Sequence, residues 1–227
     1  MRALAKLTLS LRVTGVRADG YHLIDAEMAT IDLADTLAFE DGDGVEVRGA
    51  DLPADNLVTR ALAATGRRAR VVLDKRIPIG AGLGGGSADA AAVLRWAGCH
   101  DASVAASLGA DVPFCLAGGR ARVTGVGEVV EPLPFVDATY TLLTPPFPVS
   151  TPAVYRAWDD LGGPSAAGPN DLEPAALAVE PRLREWRDRL GDATGLVPVL
   201  AGSGGTWFVE GAHAHVPGAV VVRTDRP

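Results

Sequence analysis

Residues 77–92 of this chain read IPIGAGLGGGSADAAA, a run with five glycines between positions 80 and 86. Because glycine has no Cβ, such a loop can adopt positive φ angles and direct successive N–H groups towards one point. Ser87 is a candidate N-cap with Asp89 in the first turn, and a helix beginning there would add its positive dipole end to the same point. A flexible linker is the alternative, but a linker is not followed at once by a helix start. The run therefore predicts a phosphate-binding loop over residues 78–89.

The residue types in this run indicate which class of phosphate-binding loop it resembles. A Walker-type loop needs a lysine after its last glycine, and here a serine follows directly. The glycines at positions 80, 82 and 85 do match the dinucleotide pattern G-x-G-x-x-G, and Asp101 stands near the distance of its acidic residue. That pattern should leave an apolar strand directly, whereas the charged residues 74–76 separate the apolar residues 71–73 from the loop. A dinucleotide site therefore remains the second interpretation.

Composition restricts the partners and the compartment of the protein. The 227 residues are 48% hydrophobic with a formal net charge of −7, which argues against nucleic acid as a partner. No apolar run reaches transmembrane length, and the alternating N-terminus is unlike a signal peptide, so we expect no membrane association. Cys99 and Cys115 lack metal-binding spacing and fit reduced thiols in a cytoplasmic protein. His213 and His215 have no third ligand nearby, so no residue is assigned to a metal.

Hydrophobic alternation predicts a strand near the N-terminus. Apolar residues occupy every second position from Leu7 to Val13, which places Lys6 and Thr8 together on the opposite face. From this periodicity alone, we expect a half-exposed strand with a solvated outer face.

The remaining pattern predicts mixed α and β structure. Strands are expected at 33–39, 45–48, 69–73, 140–143 and near 197, 207 and 220, with a hairpin over 120–130. Helices are expected at 56–65, from the glycine loop to about 96, at 101–108, after a Thr151 cap with Pro152 in the first position, and within 172–190. The proline-rich residues 131–134 predict a boundary between two domains, 1–133 and 134–227.

Several segments together resemble one family of small-molecule kinases. They are AKL at 5–7, RADGYH at 17–22, the glycine loop, LGADVPF at 108–114, GVGE at 125–128, NDLE at 170–173 and GSG at 202–204. In this order they are similar to the kinases named for galactokinase, homoserine kinase, mevalonate kinase and phosphomevalonate kinase, and within them to the branch acting on a cytidine diphosphate-linked methylerythritol. The resemblance spans nearly the whole chain. It implies an α+β fold with two domains, an N-terminal mixed α/β ATP-binding domain and a smaller C-terminal ferredoxin-like α/β domain.

The resemblance also implies a reaction, the ATP-dependent phosphorylation of the 2-hydroxyl of that substrate in isoprenoid precursor synthesis. Asp111 matches the catalytic aspartate and is the expected general base, a role compatible with capping the following helix. Lys6 matches the lysine that holds the transferring phosphate and keeps that aspartate ionised, and this match replaces the solvated-face interpretation of its strand. Mg²⁺ is expected to bridge the phosphate oxygens of ATP. The expected ATP-binding residues are Pro78, Gly80, Gly82, Leu83, Gly84, Gly85, Gly86 and Ser87.

Substrate recognition is implied for a further set of residues. Tyr21 and His22 match the pair that receives the cytosine, by stacking and by hydrogen bonding, and Tyr155 falls where the family has an aromatic residue on the other face of the base. Thr151 belongs to the same substrate-binding set. Thr8 belongs to it too, at a position where the family usually has asparagine, whose amide offers a second donor. Ala88 likewise replaces a common second serine after the glycines.

Three other functions remain open at this point. A kinase for another small alcohol would share the lysine, the aspartate and the glycine loop, and an ATP-binding relative without catalysis would share the loop alone. A nicotinamide-dependent oxidoreductase would follow from the dinucleotide interpretation. We expect a cytoplasmic monomer or weak homodimer whose partner is its small-molecule substrate.

Overall fold

The computed structural model describes residues 1–226, and within them ten strands and seven helices form two sheets with their covering helices. The strands are β1 (Arg2–Val16), β2 (His22–Glu40), β3 (Gly44–Arg48), β4 (Arg70–Asp74), β5 (Arg120–Gly125), β6 (Val129–Pro132), β7 (Thr139–Leu143), β8 (Val199–Leu200), β9 (Trp207–Glu210) and β10 (Val220–Arg223). The helices are α1 (Leu57–Thr65), α2 (Gly85–Ala97), α3 (Ala102–Leu108), α4 (Val112–Ala117), α5 (Thr151–Asp160), α6 (Glu173–Val179) and α7 (Leu183–Thr194).

The first sheet has six strands in the order β3-β4-β2-β5-β6, with β1 paired antiparallel to β2. Strands β3 and β4 are parallel because α1 crosses over between them, whereas the other pairs are antiparallel. Helix α2 lies against β1, α1 and α4. Its residues from Ala88 to Leu94 are buried almost all round, and the small alanines allow these close approaches. Because α2 begins at the glycine loop, the loop is thereby anchored beside the first sheet.

The second sheet has the antiparallel order β10-β7-β9-β8. In chain order this is 4-1-3-2, so the ferredoxin-like arrangement that the resemblance implied is confirmed. Helices α5, α6 and α7 occupy the first crossover, between β7 and β8. The second crossover, residues 211–219, contains glycine and proline residues and carries no helix in the described chain. The second sheet and its helices therefore form a ferredoxin-like arrangement that, within the described residues, lacks the helix of the second crossover.

The solvated-face interpretation of β1 is wrong at its most important positions. Lys6 and Thr8 do lie on the same side, but they are 5% and 1% exposed. The reason is that the glycine loop covers this face, with Lys6 N donating to Leu83 O at 3.1 Å. A period-two pattern cannot show that a loop 77 residues further along the chain, at Leu83, covers a polar face.

Three predictions about helix starts are also wrong. Helix α2 begins at Gly85 after the left-handed Gly84, so Ser87 lies inside the first turn and is not its cap. Asp89 follows that turn and is buried, at 1% exposure. Helix α5 is capped by the Ser150 hydroxyl, one residue before the predicted Thr151. The predicted helices α1 and α3 are confirmed, with Asn56 and Asp101 as their caps.

The chain passes from the first sheet to the second between β6 and β7, where the domain boundary was predicted. Later segments return to the first sheet, since Asn170 forms a β-bridge with Leu11 and Thr224 forms one with Ile31. The division at 133/134 into two domains stays a prediction. No helix within residues 1–226 has the length and apolar character needed to cross a membrane.

Candidate active site

A cavity of about 750 Å³ opens beside the glycine loop, β1 and the first turns of α5. It gathers all the residues predicted to be catalytic, ATP-binding or substrate-binding, although they come from five separate segments of the chain. The predicted residues on its wall are Lys6, Thr8, Tyr21, His22, Pro78, Gly80, Gly82, Leu83, Gly84, Gly85, Gly86, Ser87, Asp111, Thr151 and Tyr155. Their roles stay predictions, but their placement around one cavity is an observation.

The glycine loop owes its composition to two different requirements. Gly80, Gly82 and Gly84 have φ angles of 69°, 78° and 68°, the left-handed region in which side chains are disfavoured. Gly82 also lies against a second glycine turn, so that a Cβ there would come within 2.3 Å of Ala201 O. A Cβ on Gly84 would meet the Lys6 side chain at 2.8 Å. Part of the glycine density therefore serves close packing and not only an anion site.

Lys6, Thr8 and Asp111 form a compact polar group at the cavity wall. Lys6 Nζ lies 2.9 Å from Thr8 Oγ1 and 3.5 Å from Asp111 Oδ2. The lysine side chain is 6% exposed and the aspartate side chain 32% exposed, so the carboxylate remains accessible from the cavity. Asp111 occupies the N-cap position of α4 but makes no side-chain capping bond, so the expected capping role is wrong. Its carboxylate lies beside the ammonium group instead, where it can accept a proton from a bound hydroxyl.

Aromatic residues line another part of the cavity. The His22 and Tyr155 rings lie 4.6 Å apart with an interplanar angle of 35°, and the Trp158 ring meets His22 edge-on at 5.6 Å. Burial and the nearby Asp111 raise the pKa of the Tyr155 hydroxyl, so it stays neutral. Tyr21 is 61% exposed, with the Arg17 guanidinium 5.5 Å from its ring centroid. Tyr21 and Tyr155 thus border the same cavity, one exposed and one partly buried.

Sequence reasoning missed a second charged cluster beneath the loop. Lys75 borders the cavity, and its ammonium group is paired with the carboxylates of Asp35 and Asp89, the latter at 2.7 Å. Burial raises the pKa of Asp89 to about 7, although Lys75 opposes that shift. The available signal was that Lys75 is one of only two lysines in the chain and stands directly before the glycine loop.

Comparison with known proteins assigns the chain to a family. Residues 56–119 match the model described as "GHMP kinases N terminal domain". A 4-diphosphocytidyl-2-C-methyl-D-erythritol kinase of Cereibacter sphaeroides is 39% identical over 91% of this chain and 87% of its own length. The kinase of the same name from Paracoccus denitrificans is 39% identical over 90% of this chain and 84% of its own length. This chain belongs to the 4-diphosphocytidyl-2-C-methyl-D-erythritol kinase family.

Solved structures agree with that assignment. A crystal structure of 4-(cytidine 5'-diphospho)-2C-methyl-D-erythritol kinase superposes with a TM-score of 0.80 and 33% identity over 99% of both chains. The mevalonate kinase of Methanococcus jannaschii shares the fold alone, with a TM-score of 0.59 at 12% identity, over 100% of this chain and 98% of its own. Membership of this kinase family replaces the dinucleotide interpretation, and Asp101 caps α3 instead of binding a ribose.

Proposed function

We propose that this protein transfers the γ-phosphate of ATP to the 2-hydroxyl of 4-diphosphocytidyl-2-C-methyl-D-erythritol. The observation that carries the proposal is the Lys6–Asp111 pair at 3.5 Å, on the wall of the same cavity as the glycine loop. Phosphoryl transfer depends on positioning and on charge stabilisation, and this arrangement offers both.

The reaction needs a proton acceptor and a cation at the reacting atoms. Asp111 accepts the proton of the attacking hydroxyl as the new O–P bond forms and the bond from the γ-phosphorus to the β,γ-bridging oxygen of ATP breaks, releasing ADP. Lys6 stabilises the negative charge on the transferring phosphoryl group. Because Lys6 is almost fully buried, its charge acts in a poorly screened environment and is stronger there than in bulk water.

The glycine loop and α2 supply the groups for the triphosphate. Helix α2 is 13 residues long and begins at the loop, so its N-terminal N–H groups and dipole favour bound phosphate. Mg²⁺ usually binds phosphate oxygens together with few protein ligands, and the Ser87 hydroxyl on the cavity wall is suitable for one of them. Bound Mg²⁺ neutralises charge on the phosphates. The apolar side chains of Leu52, Leu57 and Ile77 on the same wall suit the adenine ring.

The aromatic part of the cavity suits the cytidine end of the substrate. Tyr21 and Tyr155 offer two π faces, and His22, whose ring contacts Tyr155, adds a hydrogen-bonding edge. A kinase for a small alcohol without a nucleotide would have no use for this set of three.

One experiment tests the proposal directly. The purified protein is incubated with ATP, Mg²⁺ and the cytidylylated substrate, and ADP and a product phosphorylated at the 2-hydroxyl are measured. Methylerythritol 4-phosphate without the cytidylyl group is the control and should not be phosphorylated. Phosphorylation of the control at the same rate would favour the kinase for another alcohol, and ATP binding without product would favour the non-catalytic relative.

A further inference from the structure

His22 is held by an acidic residue that the proposed reaction does not use. Its Nε2 lies 2.8 Å from Asp159 Oδ1, in the last turn of α5. The His22 side chain is 10% exposed, and its ring is fixed against Tyr155 and Trp158. Trp158 is itself fixed, since its Nε1 donates to Pro164 O at 3.0 Å. Contacts with Asp159, Tyr155 and Trp158 therefore fix the orientation of the His22 imidazole.

The partner at Nε2 decides which nitrogen carries the proton. An ionised carboxylate can only accept hydrogen bonds, so Nε2 must be the protonated nitrogen that donates to Asp159. In a neutral imidazole the other nitrogen, Nδ1, then has a free lone pair. Within residues 1–226, no group forms a hydrogen bond with His22 Nδ1, and the residue lines the cavity. Nδ1 is thus available as an acceptor for a ligand.

We propose that Asp159 is a positioning residue that fixes the Nε2–H tautomer of His22, so that Nδ1 accepts a hydrogen bond from the exocyclic amino group of cytosine. The inference rests on the proposed function, because it presumes that the nucleotide end of the substrate binds at this wall. Uracil carries a carbonyl oxygen where cytosine carries that amino group. Two acceptors would then face each other, and a donor–acceptor mismatch of this kind is a strong source of discrimination. Asp159 therefore makes the site selective for cytosine nucleotides.

The tautomer is measurable without any substrate. The chain has four histidines, so a ¹⁵N-histidine NMR spectrum is simple, and His22→Gln identifies the relevant signals. Above neutral pH, the wild type should show the Nε2–H tautomer at His22, and Asp159→Ala should show a mixture of the two tautomers. Asp160→Ala removes the neighbouring exposed carboxylate and should show the wild-type pattern. An amide can either accept or donate, so Asp159→Asn should also give a mixture. An Nδ1–H tautomer or an imidazolium in the wild type, or no change in Asp159→Ala, overturns the proposal.

Base selectivity is measured by binding, independently of turnover. With ADP present to fill the ATP site, calorimetry compares cytidine 5′-diphosphate with uridine 5′-diphosphate. The wild type should prefer the cytidine compound, and Asp159→Ala should lose about threefold to tenfold of that preference, the effect of one neutral hydrogen bond. Asp160→Ala should retain it. If the wild type binds the two diphosphates equally, the inference about Asp159 is wrong but the proposed function is unaffected. If the wild type binds neither diphosphate, both the inference and the proposed substrate are wrong. Selective binding without phosphoryl transfer counts against the proposed function only.

Discussion

The two lysines of the chain lie in clusters of opposite character. Lys6 has a single carboxylate, Asp111, at 3.5 Å, and that carboxylate is 32% exposed to the cavity. Lys75 is paired with two carboxylates, Asp35 and Asp89, which are 0% and 1% exposed. The first cluster leaves a carboxylate accessible to a reactant, whereas the second is almost completely closed to solvent. We therefore assign the same residue types to the proposed chemistry in one place and to support of the phosphate loop in the other.

The largest expected effect is on the open cluster. Asp111→Asn should keep the fold and ATP binding but reduce kcat by about 10²–10⁴-fold, because an amide cannot accept the hydroxyl proton. Asp101→Asn is the matched control, since asparagine caps α3 equally well and should leave kcat unchanged. Steady-state kinetics with calorimetric ATP binding provide the measurement. An unchanged kcat in Asp111→Asn would remove Asp111 as the base and with it the distinction between the clusters.

The closed cluster should respond in stability instead. Lys75→Met leaves two buried carboxylates without their cation and should lower the free energy of unfolding by about 3–5 kcal/mol. Lys6→Met should have the reverse profile, with a small change in stability and a large loss of kcat. Denaturant unfolding and kinetics on both variants measure the contrast. If both variants lost only stability, Lys6 would be a structural residue like Lys75.

Thr8 tests how finely Lys6 is positioned. Thr8→Val keeps the shape of the side chain but removes the acceptor that Lys6 Nζ contacts at 2.9 Å, in a site that is 1% exposed. A hydrogen bond to a charged group is worth about 1.5–3 kcal/mol, so kcat should fall by roughly tenfold or more. Thr8→Ser retains the hydroxyl and should recover most of the activity. Equal kcat values for the Val and Ser variants would show that the hydroxyl does not position the ammonium group.

The closed cluster should also make the stability of the protein depend on pH. Burial raises the Asp89 pKa from 3.8 to about 7, so the folded protein binds a proton that the unfolded chain releases. This contribution to stability is present below about pH 4 and is lost as the pH rises towards 7. Asp89→Asn has no such group, so its stability relative to the wild type should rise as the pH increases over this interval.

Urea unfolding of both proteins across this pH range measures that difference. Asp101→Asn is the control, because hydrogen bonds from Ser103 lower the pKa of the exposed Asp101. Its contribution to stability therefore changes only below about pH 4, and the relative stability of this variant should be constant over the interval. A relative stability of Asp89→Asn that does not change with pH would show that Asp89 stays ionised throughout.

The sequence predicted which residues lie around one cavity better than it predicted the contacts that hold them there. The motifs that carry the resemblance are short and local, and the residues they named all line one cavity. The contacts of Lys75 with Asp35 and of His22 with Asp159 could not be predicted, since 40 and 137 positions separate the partners. The start of α2 was misplaced by three residues because a left-handed Gly84, and not a polar side chain, stands at its N-cap. The start of α5 was misplaced by one residue because Ser150 and Thr151 are adjacent hydroxyl residues and the first of them is the cap.

The contact between the two glycine turns has a consequence for how the protein assembles. Backbone hydrogen bonds hold the phosphate loop from both sides, from Lys6 N to Leu83 O and from Thr206 N to Ala81 O. The loop thus has its full set of these hydrogen bonds only after Thr206 has been synthesised and has docked against Ala81. A nucleotide that recognises this shape stabilises both halves at once, and its affinity is a reporter of completed folding.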